Sequence, residues 1–163
     1  MFINDLKNLF PGNLPPYNKG FRDTDPGKLQ TIGLSFYPDF LSHEPIMHSV
    51  IFNLVKNGLK VAKDRRVLMN IRRIDKFPER ALYVPEGARD YEQFVVFDLI
   101  NSGGFSSKKP FIECLTSVPK FNEHGFGLYF VGLASRVLRA PVSITTDEKQ
   151  TQISFYHPVY CKR

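Results

Sequence analysis

Residues 46–63, IMHSVIFNLVKNGLKVAK, constrain this chain more than any other stretch. Met47, Val50, Ile51, Leu54, Gly58, Val61 and Ala62 recur at spacings of three and four, the period of an amphipathic helix with one face on a core. Asn53, Asn57 and Lys60 fall at i, i+4 and i+7 and share a second, polar stripe. Asparagine is a poor mid-helix residue because its amide competes for backbone hydrogen bonds. Each one costs a few tenths of a kcal/mol relative to alanine, about 0.5 kcal/mol. Two of them one turn apart leave two readings open. The stripe is a solvated face that carries them, or it presents amide oxygens and an ammonium to a metal-bound polyphosphate.

At 163 residues the chain is long enough for one domain with a substantial core. Its formal charge of +6 favours an anionic partner. Nucleic acid is disfavoured in that role, because no nucleic-acid-binding motif is present and the basic residues are scattered, with short knots only at 63–66 and 108–109. Cys114 and Cys161 lack metal-ligand spacing and need not pair, and His43, His48, His124 and His157 form no zinc pattern. The opening MFINDLKNLF has no basic start followed by an apolar run, and no apolar segment reaches membrane-span length. The expectation is a cytoplasmic protein with reduced thiols and no membrane segment.

Residues 1–28 read as an arm or linker, since PGNLPPYNKG at 11–20 cannot hold a regular helix. Residues 29–163 read as the domain. Strands are expected at 29–37, 67–74, 93–100, 142–146 and 152–157, the third being the most apolar and therefore central. Pro45 stands just ahead of the organising helix, and residues 75–89 read as loop. Residues 106–123 read as a long polar connection with one apolar knot at 111–115, the kind of segment that serves as a lid or binding loop. A second helix is expected over 128–138. The order predicts an α+β fold: a two-layer sandwich, its mixed sheet carrying the helices on one face.

Two glycine segments complete the pattern. NSGGF at 101–105 ends the central strand, where glycines allow close backbone approach and a polar side chain can read a base edge. HGFG at 124–127 opens the second helix, whose N-terminal N–H groups form an anion site. Taken singly, each is equally an ordinary glycine turn or loop. In the order asparagine helix, strand with NSGG, lid, GxGL and helix, residues 29–158 resemble the ATP-binding domain of histidine kinases and their relatives among gyrases, heat-shock chaperones and mismatch-repair ATPases, the Bergerat fold. FNLVKNGLKVA is similar to the family's asparagine box, NLLxNAxK, with Gly58 where alanine is usual. NSGGF is similar to the first glycine box, DxGxG, with Asn101 in place of aspartate and Phe105 in place of the second glycine. FIECL resembles the phenylalanine box through Phe111, and HGFGLYFVG the second glycine box through Gly125, Gly127 and Leu128.

The resemblance implies ATP and Mg²⁺ as cofactors. Asn57 would ligate Mg²⁺, Asn53 would support the metal-bound phosphates, and Lys60 would approach the phosphate chain. Asn101 would accept a hydrogen bond from the adenine amino group without the strength a charge lends, beside Gly103. Gly125, Gly127 and Leu128 would complete the nucleotide site. Hydrolytic relatives carry a glutamate where Asn53 stands, as general base for water; its absence favours phosphoryl transfer or plain binding. Ser42-His43-Glu44 echoes a phosphoacceptor motif, but Pro45 and the asparagine helix follow at once, so the acceptor is expected on another domain or protein. The leading expectation is the ATP-binding catalytic domain of a two-component sensor histidine kinase or related protein kinase. The alternative is a degenerate, non-catalytic interaction or regulatory module.

Overall fold

The computed structural model describes residues 28–32, 43–104, 108–117 and 127–160. Among these residues five strands form one sheet in the order β1-β2-β3-β5-β4: β1 (Lys28–Ile32), β2 (Arg66–Ile74), β3 (Phe94–Ser102), β4 (Val142–Thr146) and β5 (Gln150–Pro158). β1 runs parallel to β2 and every other pair is antiparallel. Three α-helices among the described residues accompany it: α1 (Glu44–Val61), α2 (Lys109–Thr116) and α3 (Gly127–Leu138). The two-layer α+β sandwich expected from the sequence is the one that forms, with β3 second to none in burial.

Strand parity sorts the two faces of the sheet. Val67, Met69 and Ile71 of β2, Val95, Phe97 and Leu99 of β3, and Ile153 and Phe155 of β5 point to the helices. There they enclose Met47, Val50, Ile51 and Leu54 of α1 and Val131, Ala134 and Leu138 of α3. The opposite parity builds a polar seam on the other face. Asp98, 2% exposed, accepts from Arg72 Nε (2.7 Å), Ser154 Oγ (2.6 Å) and Gln152 Nε2 (3.2 Å). Arg72 pairs with Val96, which pairs with Tyr156, and the Arg72 side chain also reaches Tyr156; this arch lies across Val96, fully buried although none of the described helices covers it. A buried carboxylate with three donors is satisfied rather than reactive.

Local chemistry sets the helix limits. Pro45 sits inside the first turn of α1, not ahead of it, where its missing N–H is harmless. The Ala62 N–H returns to Gly58 O and ends α1. The expected lid instead contains α2, whose Phe111, Cys114 and Leu115 enter the core. Burial pushes the Cys114 thiol pKa up. α2 seats on α3 at Gly132, where a Cβ would collide with Leu115 O, and Arg136 Nη1 donates to that same carbonyl (2.9 Å). Residues 75–89 are mostly loop, as expected, with a bridge from Tyr83 to Val142 and the start of a 3-10 turn at Ala88–Asp90; the loop runs on through Gln93, the expected first residue of the third strand. The 1–28 arm, the end of the predicted first strand, His124 and Cys161 lie outside the described residues, apart from Lys28, which opens β1. Among the described residues no helix is long and apolar enough to cross a membrane.

Candidate functional site

α1 lies across the sheet with its C-terminal half over the ends of β2 and β3, and the asparagine stripe faces the start of α3. Asn53 Nδ2 donates to Ser49 O (2.8 Å), the carbonyl one turn back. Its Oδ1 stands against Gly127: a Cβ there would sit 2.7 Å from that oxygen. Only a glycine lets the first residue of α3 come so near the asparagine, so the N–H groups that open α3 begin beside Asn53. Leu128 packs partly buried against the core beside this junction.

Asn57, one turn on, is in a different state. Its Nδ2 is shielded from solvent and has no hydrogen-bond partner among the described residues. A buried donor left unpaired costs roughly 1–3 kcal/mol, a cost that a ligand oxygen would remove. Lys60 is exposed at the end of the same stripe. Asn57 also fits a magnesium ligand in kind, offering a neutral amide oxygen. Among the described residues no group of three or more His, Cys, Asp or Glu side chains could hold an ion. Mg²⁺ bound here would therefore draw its other ligands from phosphate and water, its usual mode with nucleotides.

Beneath the C-terminal half of α1, next to Asn57, Val67, Asn101 and Thr151 form a row across β2, β3 and β5 on the helix side. Asn101 is 4% exposed and its Nδ2 donates to Ser102 O (3.1 Å). Gly58 lies over this row. A Cβ on it would meet Val67 Cγ2 at 2.9 Å and Asn101 Oδ1 at 3.6 Å, so an alanine here would press on Val67. Thr151 Oγ1 donates to Gly103 O (2.8 Å); with its one proton so engaged, it accepts from Thr146 Oγ1 (3.0 Å).

The two glycines after Asn101 make close approaches, and their partners are the chain's own backbone. Gly103 has φ +103°, where a side chain is strained, and a Cβ there would lie 2.9 Å from Val61 O; its N–H donates to Lys149 O (2.8 Å). A Cβ on Gly104 would run into Asp147 O. Ser102 Oγ donates to Asp64 Oδ1 (2.6 Å) and accepts from the Asp64 N–H (3.3 Å), and the Ser102 hydrogen bond lowers the Asp64 pKa. The loop after β3 is thus clamped between the α1–β2 turn and the β4–β5 turn.

The structure sets Gly127 against Asn53 at the middle of α1, Asn101 beneath Gly58, the residue after Asn57, and Gly103 against Val61 at the end of the helix. Gly125 and Phe105 lie outside the described residues. Sequence reasoning did not single out Thr151 or Asp64. Thr151 becomes visible only once β3 and β5 are paired in register; Asp64 carries no signal beyond an ordinary polar turn.

No protein-family model matches the sequence, and no curated protein matches it. Solved structures do match by shape. ShkA, full length in complex with AMPPNP, superposes with a TM-score of 0.59 at 16% identity, over 82% of this chain and 26% of ShkA. The Acinetobacter baumannii histidine kinase AdeS gives 0.54 at 7% identity, over 83% of this chain and 54% of AdeS. The catalytic domain of histidine kinase ThkA, in a nucleotide-free form, gives 0.52 at 15% identity, over 82% of this chain and 79% of that domain. The chain thus spans about a quarter of ShkA and about half of AdeS. At these identities the likeness concerns the fold, which is that of the histidine-kinase-type ATPase catalytic domain.

Proposed function

We infer that this chain binds Mg·ATP along α1 and serves as the catalytic, ATP-binding unit of a histidine-kinase-type protein kinase, with the phosphoacceptor supplied by another domain or protein. The observation that carries this reading is the buried, unpartnered Nδ2 of Asn57, one turn from an asparagine in contact with the N-terminus of α3. A ligand with clustered anionic oxygens answers that arrangement; an apolar group does not.

Each residue then has a physical task. Asn57 would offer Oδ1 to Mg²⁺ and Nδ2 to a phosphate oxygen. The metal would neutralise charge on the phosphate chain. The N-terminal N–H groups of α3 face the same anion, and Lys60 adds a mobile positive charge at the exposed end of the stripe. Asn53 cannot take a proton from water, and its amide is held by Ser49 O. The site positions and neutralises, which is most of what phosphoryl transfer requires, and provides no base at that position for hydrolysis. The test is calorimetric titration of the whole chain with ADP and AMPPNP, with and without Mg²⁺. Magnesium-dependent binding abolished by Asn57→Ala supports the reading. No binding at millimolar nucleotide overturns it.

One observation favours the second reading, a non-catalytic docking module. The glycines of the NSGG segment are closed against Val61 O and Asp147 O, so the backbone approach they allow is already taken. If titration shows no nucleotide, the fold stands as a protein-binding scaffold.

A further inference from the structure

Four arginines elsewhere in the fold are neutralised in place: Arg72 pairs with Asp98, Arg73 with Asp75, Arg89 with Glu79 and Arg139 with Asp90. The basic knot at 63–66 is different. Residues 59–66, LKVAKDRR, run from the end of α1 into β2 with four cations against one carboxylate. Lys60, Lys63 and Arg66 are exposed, and none of the three makes a salt bridge among the described residues. The carboxylate, Asp64, is engaged locally, since its Oδ1 accepts from Ser102 Oγ (2.6 Å) and from the Arg66 N–H (3.1 Å). Spacing assigns Val61 to the core face of α1, yet the helix ends at this residue and leaves it 40% exposed between Lys60 and Lys63. The segment around it is fixed. Val61 O lies 2.9 Å from where a Cβ on Gly103 would be, the Lys63 stem lies over the same glycine at 3.9 Å, and the Lys63 N–H donates to Ser102 O (3.4 Å).

We propose that Val61, Lys63 and Arg66 form a docking corner for a second protein, one that presents carboxylates around an apolar socket. An exposed aliphatic flanked by cations follows the general plan of a protein interface, an apolar centre inside a polar rim. The fixed turn lowers the ordering cost of association. Charge selects the class of partner. Cations without a carboxylate of their own chain gain most from carboxylates supplied by another, and they steer its approach. One aliphatic side chain is too small an anchor for a bilayer surface. Residues 59–66, 102–104 and 147–150 hold no aromatic ring on which a nucleic-acid base could stack. Asp147 and Glu148, on the turn beyond Gly104, bound the corner on its acidic side, and Asp147 Oδ1 is taken by the N–H groups of Lys149 (2.7 Å) and Gln150 (2.8 Å). The proposal is independent of nucleotide, because Val61, Lys63 and Arg66 lie outside the asparagine stripe.

The experiment titrates the whole, isotope-labelled chain with a short synthetic peptide of glutamate, alanine and leucine and follows the amide resonances. The expected result is shift changes centred on residues 59–66 and 102–104, with an affinity that falls as salt rises. Lys63→Glu combined with Arg66→Glu should weaken binding about tenfold, and Val61→Ser about threefold. Lys76→Glu combined with Arg80→Glu removes the same charge from exposed positions of the loop between β2 and β3, and should change binding by less than about twofold. Equal losses in the two double variants would mean that only overall charge is read, and would overturn the proposal. So would the absence of binding, or tighter binding of phosphatidylserine vesicles or duplex DNA at the same residues. The amide spectrum of each variant without peptide shows whether it folds. Should the glutamate pair disrupt β2, Lys63→Gln with Arg66→Gln against Lys76→Gln with Arg80→Gln makes the same comparison.

Discussion

The two ends of the candidate site, the Asn53–Asn57 stripe and the Asn101 corner next to it beneath Gly58, handle their polar groups in opposite ways. Around Asn101 the polar groups bond to one another. Ser102 O takes the Asn101 amide, Gly103 O takes Thr151, the Gly103 N–H reaches Lys149 O, and Ser102 Oγ is shared with Asp64. Around Asn57, a buried donor is left unmade. One end is built for rigidity, and the other holds back bonding capacity that folding alone does not use. Unused buried capacity is the stronger sign of a ligand, because it persists only where something else compensates for it. If nucleotide binds, the free energy gained per contact should be larger at the Asn57 end.

The largest expected effect comes from loosening the rigid end. Gly104→Ala drives a Cβ into Asp147 O, backbone against backbone, with no flexible side chain to yield. Overpacking of this kind should destabilise the fold by more than about 3 kcal/mol. Chemical denaturation of the variant checks it; a loss under about 1 kcal/mol would mean that the clamp between the loop and the β4–β5 turn is not tight.

A second large effect belongs to neither end and serves to separate stability from binding. His157 is fully buried on the helix side of β5; its Nδ1–H donates to Pro158 O (2.7 Å) and its ring meets Tyr160 edge-on at 5.4 Å. Tyr160 in turn donates to Leu138 O (2.7 Å) at the end of α3, and burial pushes its phenol up to about 12. Burial lowers the His157 pKa from 6.5 to about 4. Between those values the unfolded chain takes up a proton that the folded chain refuses. Stability is therefore fully present above pH 6.5, falls as the pH drops to about 4, and levels off below, a loss of about 3 kcal/mol. Asp64 and Asp147 titrate below this window, since hydrogen bonds lower the pKa of each below 3.8. Denaturation midpoints from pH 7 to 4 should slope steeply in the native chain and much less in His157→Gln. An equal slope in both would remove His157 as the cause.

How much of this was legible beforehand follows the range of the interactions involved. α1, β3 and α3 were readable because each repeats its period over two or more turns or a full strand. α2 was not: its buried set, Phe111, Cys114 and Leu115, covers little more than one turn, and Lys108, Lys109 and Pro110 before it look like connection. At the site, the i, i+4 pair Asn53 and Asn57 could be placed on one face from spacing alone. The roles of the NSGG glycines could not, because glycine permits close approach without saying to what. Val61 and Asp147 come from forty residues before and after them, and nothing local marks either carbonyl as the partner. Gly58 is similar: its departure from alanine is explained by Val67, a neighbour only after the sheet has formed.

Asn57→Ala tests the contrast directly, and with a sign that a structural residue would not give. Removing the amide eliminates an unpaired buried donor and improves helix propensity, so the variant should be more stable by about 1 kcal/mol while losing nucleotide. Thermal unfolding in the absence of ligand checks the first half, titration the second. Destabilisation by a similar amount would show that the amide has a structural partner and would erase the distinction between the two ends.

The smallest effect is expected at Lys60, and it sharpens the comparison because Lys60 shares the stripe but not the burial. The side chain is exposed, so its ammonium interacts with phosphate through solvent and is screened by salt. Lys60→Ala should leave unfolding unchanged within about 0.5 kcal/mol and weaken Mg·AMPPNP binding by about threefold at low salt, with the difference vanishing as ionic strength rises. A loss as large as that of Asn57→Ala, persisting at high salt, would mean that Lys60 closes over the phosphates when nucleotide binds. The unused bonding capacity of this end would then extend a full turn beyond the one buried amide.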